Sequence, residues 1–502
     1  MSIKSLNNVA DFLPLYDIVI IGAGPAGMSA AVEAGRSGAR ILLLDENTSV
    51  GGQIYRSITR ISEKTHHFLG KDYWAGRKIT EAFANAHIDY AASATVWSLE
   101  PYSHQDSRST SIIGVSLQGA ARMINAKKVI LATGAIERPM PVSGWTLPGV
   151  LTVGAGQIAL KSAGIAPEGR LVLAGSGPLL YLFAAQLLDA GMTITAILDT
   201  TPRGNLKSAL PYIGGFFASP YFAKGLSLLL KVRRNIPVIS HVSHLRIEGE
   251  NKAERVHFTH GKKQEALDID CVLLHHGVIP NINLTSAAGC ELEWNENQHC
   301  FQPKLDAFAR TTQAGVLIAG DGAGIGGAQA SSVAGRLAAI TALEDLELIK
   351  PEQAQAKRAF SQKQLKKYLR GRKFLDLFYK PAKAFRVPAD NDTIVCRCEE
   401  VSAGKLRDII AMDIAGPNQL KTFVRCGMGP CQGRLCGQTI SEMIADARDV
   451  SLADVGTYRL RAPVKPVSLR EIAALPQRCA AVVAVTGREP DENHSSSPSS
   501  SI

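Results

Sequence analysis

The first long apolar run, Asp17-Ile18-Val19-Ile20-Ile21, is β-branched and flanked by glycine, which predicts a buried strand. An alanine-rich stretch from about Pro25 to Ser37 follows and predicts a helix stopped by Gly38. A second run, Arg40-Ile41-Leu42-Leu43-Leu44, predicts another strand ending at Asp45 and Glu46. The same strand–helix–strand order returns at Leu171-Val172-Leu173-Ala174, a helix after Pro178, and a strand from Thr193 to Leu198 before Asp199. Two isolated apolar runs read as strands, Lys128-Val129-Ile130-Leu131 and the segment leading to Gly320-Asp321, with a helix from near Ala328 through Ala339. Further on, Ser402 caps a helix to about Ile414, with Leu406, Ile409 and Ile410 inward and Lys405, Arg407 and Asp408 outward. Gly416-Pro417 reads as its stop, and a second helix starts near Cys436. Periodicity fades after Gly487, where a Ser/Pro/acid-rich end reads as disordered.

Glycines turn the first pattern into chemistry. Gly22-Ala23-Gly24-Pro25-Ala26-Gly27 joins the first strand to its helix, the dinucleotide fingerprint in its proper setting. Gly22 permits the tight turn, Gly24 admits a pyrophosphate, and Gly27 lets the helix approach the strand, while the helix N-terminus favours negative charge. Asp45 or Glu46 would accept the ribose hydroxyls; spacing leaves the choice open. The turn Ala132-Thr133-Gly134 and the strand that delivers Asp321 behind Gly320 come later in the chain. In this order the three segments point to FAD rather than NAD. The second unit carries Gly175 and Gly177 but has Leu180 where the third glycine would stand. It reads either as a further nucleotide site or as a structural unit that keeps the fold.

Cysteines supply the second signal. Cys396, Cys398, Cys431 and Cys436 are spaced C-x-C-x32-C-x4-C. A 2Fe–2S cluster needs four thiolates, two per iron, and the two close pairs offer that. Structural zinc usually takes pairs spaced C-x2–4-C, so the C-x-C pair is tight for it. Cys271, Cys290 and Cys300 stand alone and read as core or surface thiols; no redox pair faces the first nucleotide unit. Adjacent His66 and His67 would point to opposite faces of a strand and read as surface residues, and His275 and His276 read first as core.

A chain of 502 residues with 46% apolar content can build several cores. Thiol usage of this kind belongs to a reducing compartment, and neither a signal peptide nor a membrane-spanning run is apparent, so the expectation is a cytoplasmic protein. The net charge of +10 has one concentration, Lys357 to Arg386. It reads as a solvated or partner-contacting surface, not a nucleic-acid site.

The phrases Gly51-Gly52-Gln53-Ile54-Tyr55-Arg56, Ala135 to Pro139 continuing to Ser143 through Val150, and Arg425 through Gly433 resemble the alpha subunits of opine oxidases, which act on octopine and nopaline. The alpha subunits of hydrogen cyanide synthase, D-hydroxyproline dehydrogenase, dye-linked L-proline dehydrogenase and heterotetrameric sarcosine oxidase are similar. The resemblance runs from Asp17 to about Leu475. It implies an α/β flavoprotein with two dinucleotide-binding domains, of the glutathione- and thioredoxin-reductase type. A small helical 2Fe–2S domain similar to bacterioferritin-associated ferredoxin would follow. The implied organisation is an FAD domain (14–150 and 300–345), an inserted NAD(P)-type domain (151–299), a basic linker (346–389), the cluster domain (390–450), an extension (451–486) and a disordered tail (487–502). Gly52, Gln53 and Val96 complete the candidate cofactor contacts. The related cluster domains use the C-x4-C pair from Cys431, which leaves Cys426 as a spare or alternative ligand. The resemblance also implies an FAD-dependent beta subunit that oxidises a secondary amine, with this chain collecting the electrons. It leaves room for an FMN between subunits and for a small third subunit, and it names no electron acceptor. A self-contained NAD(P)H-dependent reductase and a scaffold with vestigial sites are the rival readings.

Overall fold

The computed structural model describes residues 3–102 and 109–475, together with Val483 and Gly487. Cys479 and all of the expected tail except Gly487 lie outside the described residues. The first sheet has eight strands, in the order Lys4–Ser5, Asp89–Ala92, Ile41–Asp45, Leu15–Ile21, Ala120–Leu131, Ser111–Leu117, Thr95–Glu100, with Val316–Ile318 also paired to Ala120–Leu131. Pairing is parallel from the first edge to Ala120–Leu131 and antiparallel beyond it. Ile21 stands opposite both Leu44 and Leu131, and Ile318 opposite Leu131, so their strands end in register at one edge. That common edge is where an open parallel sheet binds its ligand.

One face of this sheet is covered by two small-residue helices, Pro25–Ala34 and Ala328–Asp345. They approach so closely that a Cβ on Gly335 would overlap the Ala26 carbonyl, and the Ser29 and Ser332 hydroxyls lie 2.5 Å apart. The second helix is longer than the sequence pattern indicates because its alanines continue to be buried as far as Leu343.

The inserted unit is a five-stranded parallel sheet in the order Val238–Ser240, Ala196–Asp199, Leu171–Ser176, Cys271–His276, Val150–Thr152, flanked by a three-stranded antiparallel sheet. Its C-terminal boundary falls earlier than residue 299. Val278–Pro280 pairs back with Ala135–Glu137, and Leu284, Ala288 and Cys290 then pack into the core of the first sheet.

The expected basic linker is instead two helices, Pro351–Leu369 and Arg372–Phe378. Several of its cations are spent within the chain: Lys357 pairs with buried Glu33 at 2.6 Å, Arg358 with Glu344, and Arg372 with Asp376 at 2.7 Å. Residues Ile394 to Val455 then form a small helical domain with its own core of Val395, Leu406, Ile409, Leu420, Ile440 and Ile444. Ser402 caps Ala403–Ile410 as its spacing suggests, while Pro417, read as a stop, occupies the first turn of a helix, Pro417–Val424. Proline at that position removes an N–H that the helix would not have used. Among the described residues no single helix is long and apolar enough to cross a membrane; the bent pair Asn205–Phe217 and Tyr221–Asn235 passes only as two pieces at 114°.

Candidate functional site

Three loops leave the aligned strand ends of the first sheet and face one another. Gly22 has a φ of +108°, and a Cβ there would overlap the Ala132 carbonyl, so the first and second loops touch through bare backbone. Gly27 likewise leaves room only for the Gly22 carbonyl. Gly24 differs: a Cβ on it would find nothing nearer than the Gly52 Cα at 3.9 Å. The space above Gly24, at the start of the Pro25–Ala34 helix, is open, as a pyrophosphate site requires. Gly134, with φ +66°, also faces open space, and the Thr133 hydroxyl donates to the Asn281 carbonyl at 3.2 Å. Ala23 and Pro25 lie along the same loop, and Ala26 packs under Gly320.

The carboxylates divide their work. Asp45 is buried and accepts from the Ala23 N–H and from the Asn47 N–H at 2.6 Å, fixing the loop; burial raises its pKa despite these bonds. Glu46 turns outward and pairs with Lys465 at 2.6 Å. Asp321 accepts with one oxygen from the Gly326 and Gly327 N–H groups, both at 2.9 Å, and from the Ser331 hydroxyl at 3.0 Å. That carboxylate therefore shapes the start of the Ala328–Asp345 helix. Val96 is buried in the sheet core, while Gln53 is exposed and gives its carbonyl to Lys161 at 3.0 Å. Lys161 is buried, also donates to the Ile54 carbonyl and to Gln157, and is pushed down by burial to about 7. Nothing in the sequence pattern singled it out.

The second unit is built differently. Gly175 lies against the His275 backbone, and a Cβ on Gly177 would meet the His275 ring at 3.2 Å. His275 is buried, with its Nδ1 2.5 Å from Glu137 Oε1. Leu180 packs fully inside where a glycine was missing. Asp199, at the end of the second strand, accepts from the Tyr181 hydroxyl at 2.5 Å and from the Thr201 N–H at 2.8 Å. The acid that would take a ribose is thus already bonded.

The small domain brings five thiols together. Cys396 lies within hydrogen-bonding reach of Cys426 and Cys436, and Cys398 within reach of Cys431. The bonds from those two thiols, followed by the Glu399 and Gly427 N–H groups, lower the pKa of Cys396, while the same contact raises those of Cys426 and Cys436. Among the described residues no group of three or more His, Cys, Asp or Glu side chains is arranged for a single metal ion. Contacts in pairs suit two irons better than one tetrahedral zinc. The tight loop leaves no room for a Cβ on Gly429, which would overlap that of Cys398. Cys271, Cys290 and Cys300 are all buried, far from any surface role.

The small domain is fastened by a buried charged network that no sequence pattern disclosed. Arg386 from the helical segment bonds Glu442 and His299, Gln438 donates to the His299 carbonyl at 2.8 Å, and Arg138 donates to the same carbonyl at 2.9 Å. Trp145 donates to the Ile394 carbonyl at 2.6 Å, beside the strand that carries Cys396.

A family model for pyridine nucleotide-disulphide oxidoreductases matches residues 16–341, and one for BFD-like [2Fe-2S] binding domains matches residues 394–446. The chain is 52% identical to the alpha subunit of opine oxidase from Agrobacterium tumefaciens (strain Ach5), over 98% of both chains. It is 30% identical to the HcnB subunit of hydrogen cyanide synthase from Pseudomonas aeruginosa, over 89% of this chain and 96% of that one. Among solved structures, L-proline dehydrogenase from P. horikoshii shares its fold, with a TM-score of 0.65 at 20% identity, covering 93% of this chain and 79% of that one.

Proposed function

Because the chain belongs to the family of opine oxidase alpha subunits, with its oxidoreductase fold and 2Fe–2S domain, we propose that it is the electron-transferring component of a complex that oxidises opines such as octopine or nopaline. The observation that carries this reading is the pairing, in one chain, of an open dinucleotide cradle at Gly24 with a loop of paired thiols, joined by the bond from Asn283 to the Gln432 carbonyl.

FAD, when bound, accepts two electrons and releases them singly, which matches a 2Fe–2S partner that carries one at a time. The chain's own residues do the holding. Gly22, Gly24 and Gly27 with the helix N-terminus receive the pyrophosphate, Asp45 keeps the loop in place, and Asp321 with Gly320, Thr133 and Gly134 forms the opposite wall. Cys396, Cys398, Cys431 and Cys436 supply the four thiolates in this proposal, with Cys426 as a spare.

Amine oxidation belongs, in this reading, to an FAD-dependent beta subunit. There the secondary amine C–N bond becomes an imine, and water hydrolyses it to an amino acid and a 2-oxo acid, octopine giving arginine and pyruvate. A cytoplasmic location, an FMN between subunits and a small third subunit belong to the same proposal. The Tyr181–Asp199 bond favours it over a self-contained NAD(P)H reductase, because a nicotinamide nucleotide would have to displace that hydroxyl.

The test is a steady-state assay of the isolated chain and of the chain with its beta subunit, using octopine and nopaline and an artificial electron acceptor. Turnover only in the mixture is expected. Turnover by the isolated chain at the rate of the mixture would move the amine site into this chain.

A further inference from the structure

The ring of Tyr458 lies on a face made by three glycines of the thiol loop. A Cβ on Gly427 would come within 2.7 Å of that ring, one on Gly433 within 2.8 Å and one on Gly437 within 3.2 Å. These glycines are interleaved with Cys426, Cys431 and Cys436. Side chains in those places would push the ring away. The backbone that carries Tyr458 is held from several sides. Ser441 donates to the Gly456 carbonyl at 2.8 Å, Asn418 to that of Thr457 at 3.0 Å, and Ser286 to that of Tyr458 at 3.4 Å. The side chain is only 5% exposed, and its hydroxyl has no hydrogen-bond partner.

An orphaned buried hydroxyl costs about 1–3 kcal/mol, and such groups in folded proteins almost always have a partner. The polar groups facing this one are the cysteines: Cys436, Cys426, Cys396 and Cys431 all act electrostatically on it. Burial and these thiols raise its pKa, which keeps the proton on oxygen. A protonated phenol can only offer its hydrogen toward sulfur. Hydrogen bonds to cluster sulfur stabilise the reduced, more negative state and raise the reduction potential.

We propose that the Tyr458 hydroxyl donates a hydrogen bond to a sulfur of the 2Fe–2S centre and sets its reduction potential as a positioning residue of the electron path. This rests on the cluster reading proposed for the four cysteines. It assigns Tyr458 a role that neither the cysteine spacing nor the family likeness contains.

Tyr458→Phe keeps the ring on the glycine face and removes only the hydroxyl. The variant should hold as much 2Fe–2S cluster as the unaltered chain, with a midpoint potential shifted to more negative values in a dye-mediated titration followed by electron paramagnetic resonance. The dithionite-reduced variant should also lose one strongly coupled, deuterium-exchangeable proton from its electron–nuclear double resonance spectrum. A full cluster with the same potential and proton coupling as the unaltered chain overturns the proposal. So does loss of the cluster in Tyr458→Phe, which would make the hydroxyl a requirement for assembly. Absence of a 2Fe–2S signal in the unaltered chain would instead overturn the cluster reading itself.

Discussion

The side-chain amide of Asn283 donates to the backbone carbonyl of Gln432, 3.0 Å away, and so ties the thiol loop to the first nucleotide domain. Gln432 follows Cys431 directly, and Asn283 lies two residues after the Asn281 whose carbonyl accepts from Thr133. A short covalent path with one hydrogen bond thus spans the two cradles. Asn283→Ala should weaken the loop's attachment by about 1 kcal/mol, which corresponds to a roughly fivefold rise in local opening. Hydrogen exchange over residues 428–434 measures it. Unchanged protection there would show that the bond does not hold the loop.

Gly24→Val places a branched side chain in the open space of the cradle without meeting the protein itself. The variant should fold and yet bind FAD at least about tenfold more weakly, a loss of about 1.4 kcal/mol. The ratio of flavin to protein absorbance after dialysis, beside a thermal melt, separates the two effects. Full flavin content would place the pyrophosphate elsewhere.

Serine at Cys396, Cys398, Cys431 or Cys436 should abolish the 2Fe–2S resonance of the dithionite-reduced chain, and Cys426→Ser should keep it. Cys426 and Cys436 both lie against Cys396, so the pair of variants discriminates between them. A signal that survives Cys436→Ser and vanishes with Cys426→Ser would exchange their roles.

Lys161 gives a dependence on pH. Its folded pKa of about 7 lies below the ordinary lysine value near 10.4, so between these values the unfolded chain binds more protons than the folded one. Stability therefore rises with pH across that window, by at most about 1.4 kcal/mol per unit for a single group. The desolvation cost is fully present below pH 7. In Lys161→Met the contribution is gone, so the stability of the unaltered chain relative to this variant should grow from pH 7 to pH 9. Urea midpoints of both proteins at those two values measure it. A constant difference would mean that Lys161 keeps its ordinary pKa.

What could be read from the sequence was local. Strand, turn and helix around Gly22 to Gly27 are neighbours in the chain, and their order alone assembles the cradle. Cys396 and Cys398 announce themselves by spacing in the same way. Helix 351–369 escaped notice because its apolar face is narrow and its charges look like a solvated run, although Lys357 and Arg358 are engaged with Glu33 and Glu344. Pro417 was legible as a boundary but not as a beginning, since the same residue does either. The contacts among Arg138, His299, Arg386 and Glu442 join residues up to about three hundred positions apart, and no local pattern encodes such a meeting. Tyr458 and Lys161 share that invisibility: each is an ordinary polar residue until the surrounding chain closes over it.

Trp145 donates to the carbonyl of Ile394 and lies under the guanidinium of Arg397, 5.4 Å from the ring centre, between the two cysteines of the C-x-C pair. The indole is thus a built-in optical probe. Its emission overlaps the broad charge-transfer absorption of an iron–sulfur centre, so energy passes from the excited ring to a nearby cluster without radiation. Assembly of the centre should therefore darken this residue's fluorescence, and its loss should restore it, giving a label-free signal of loading in the intact chain.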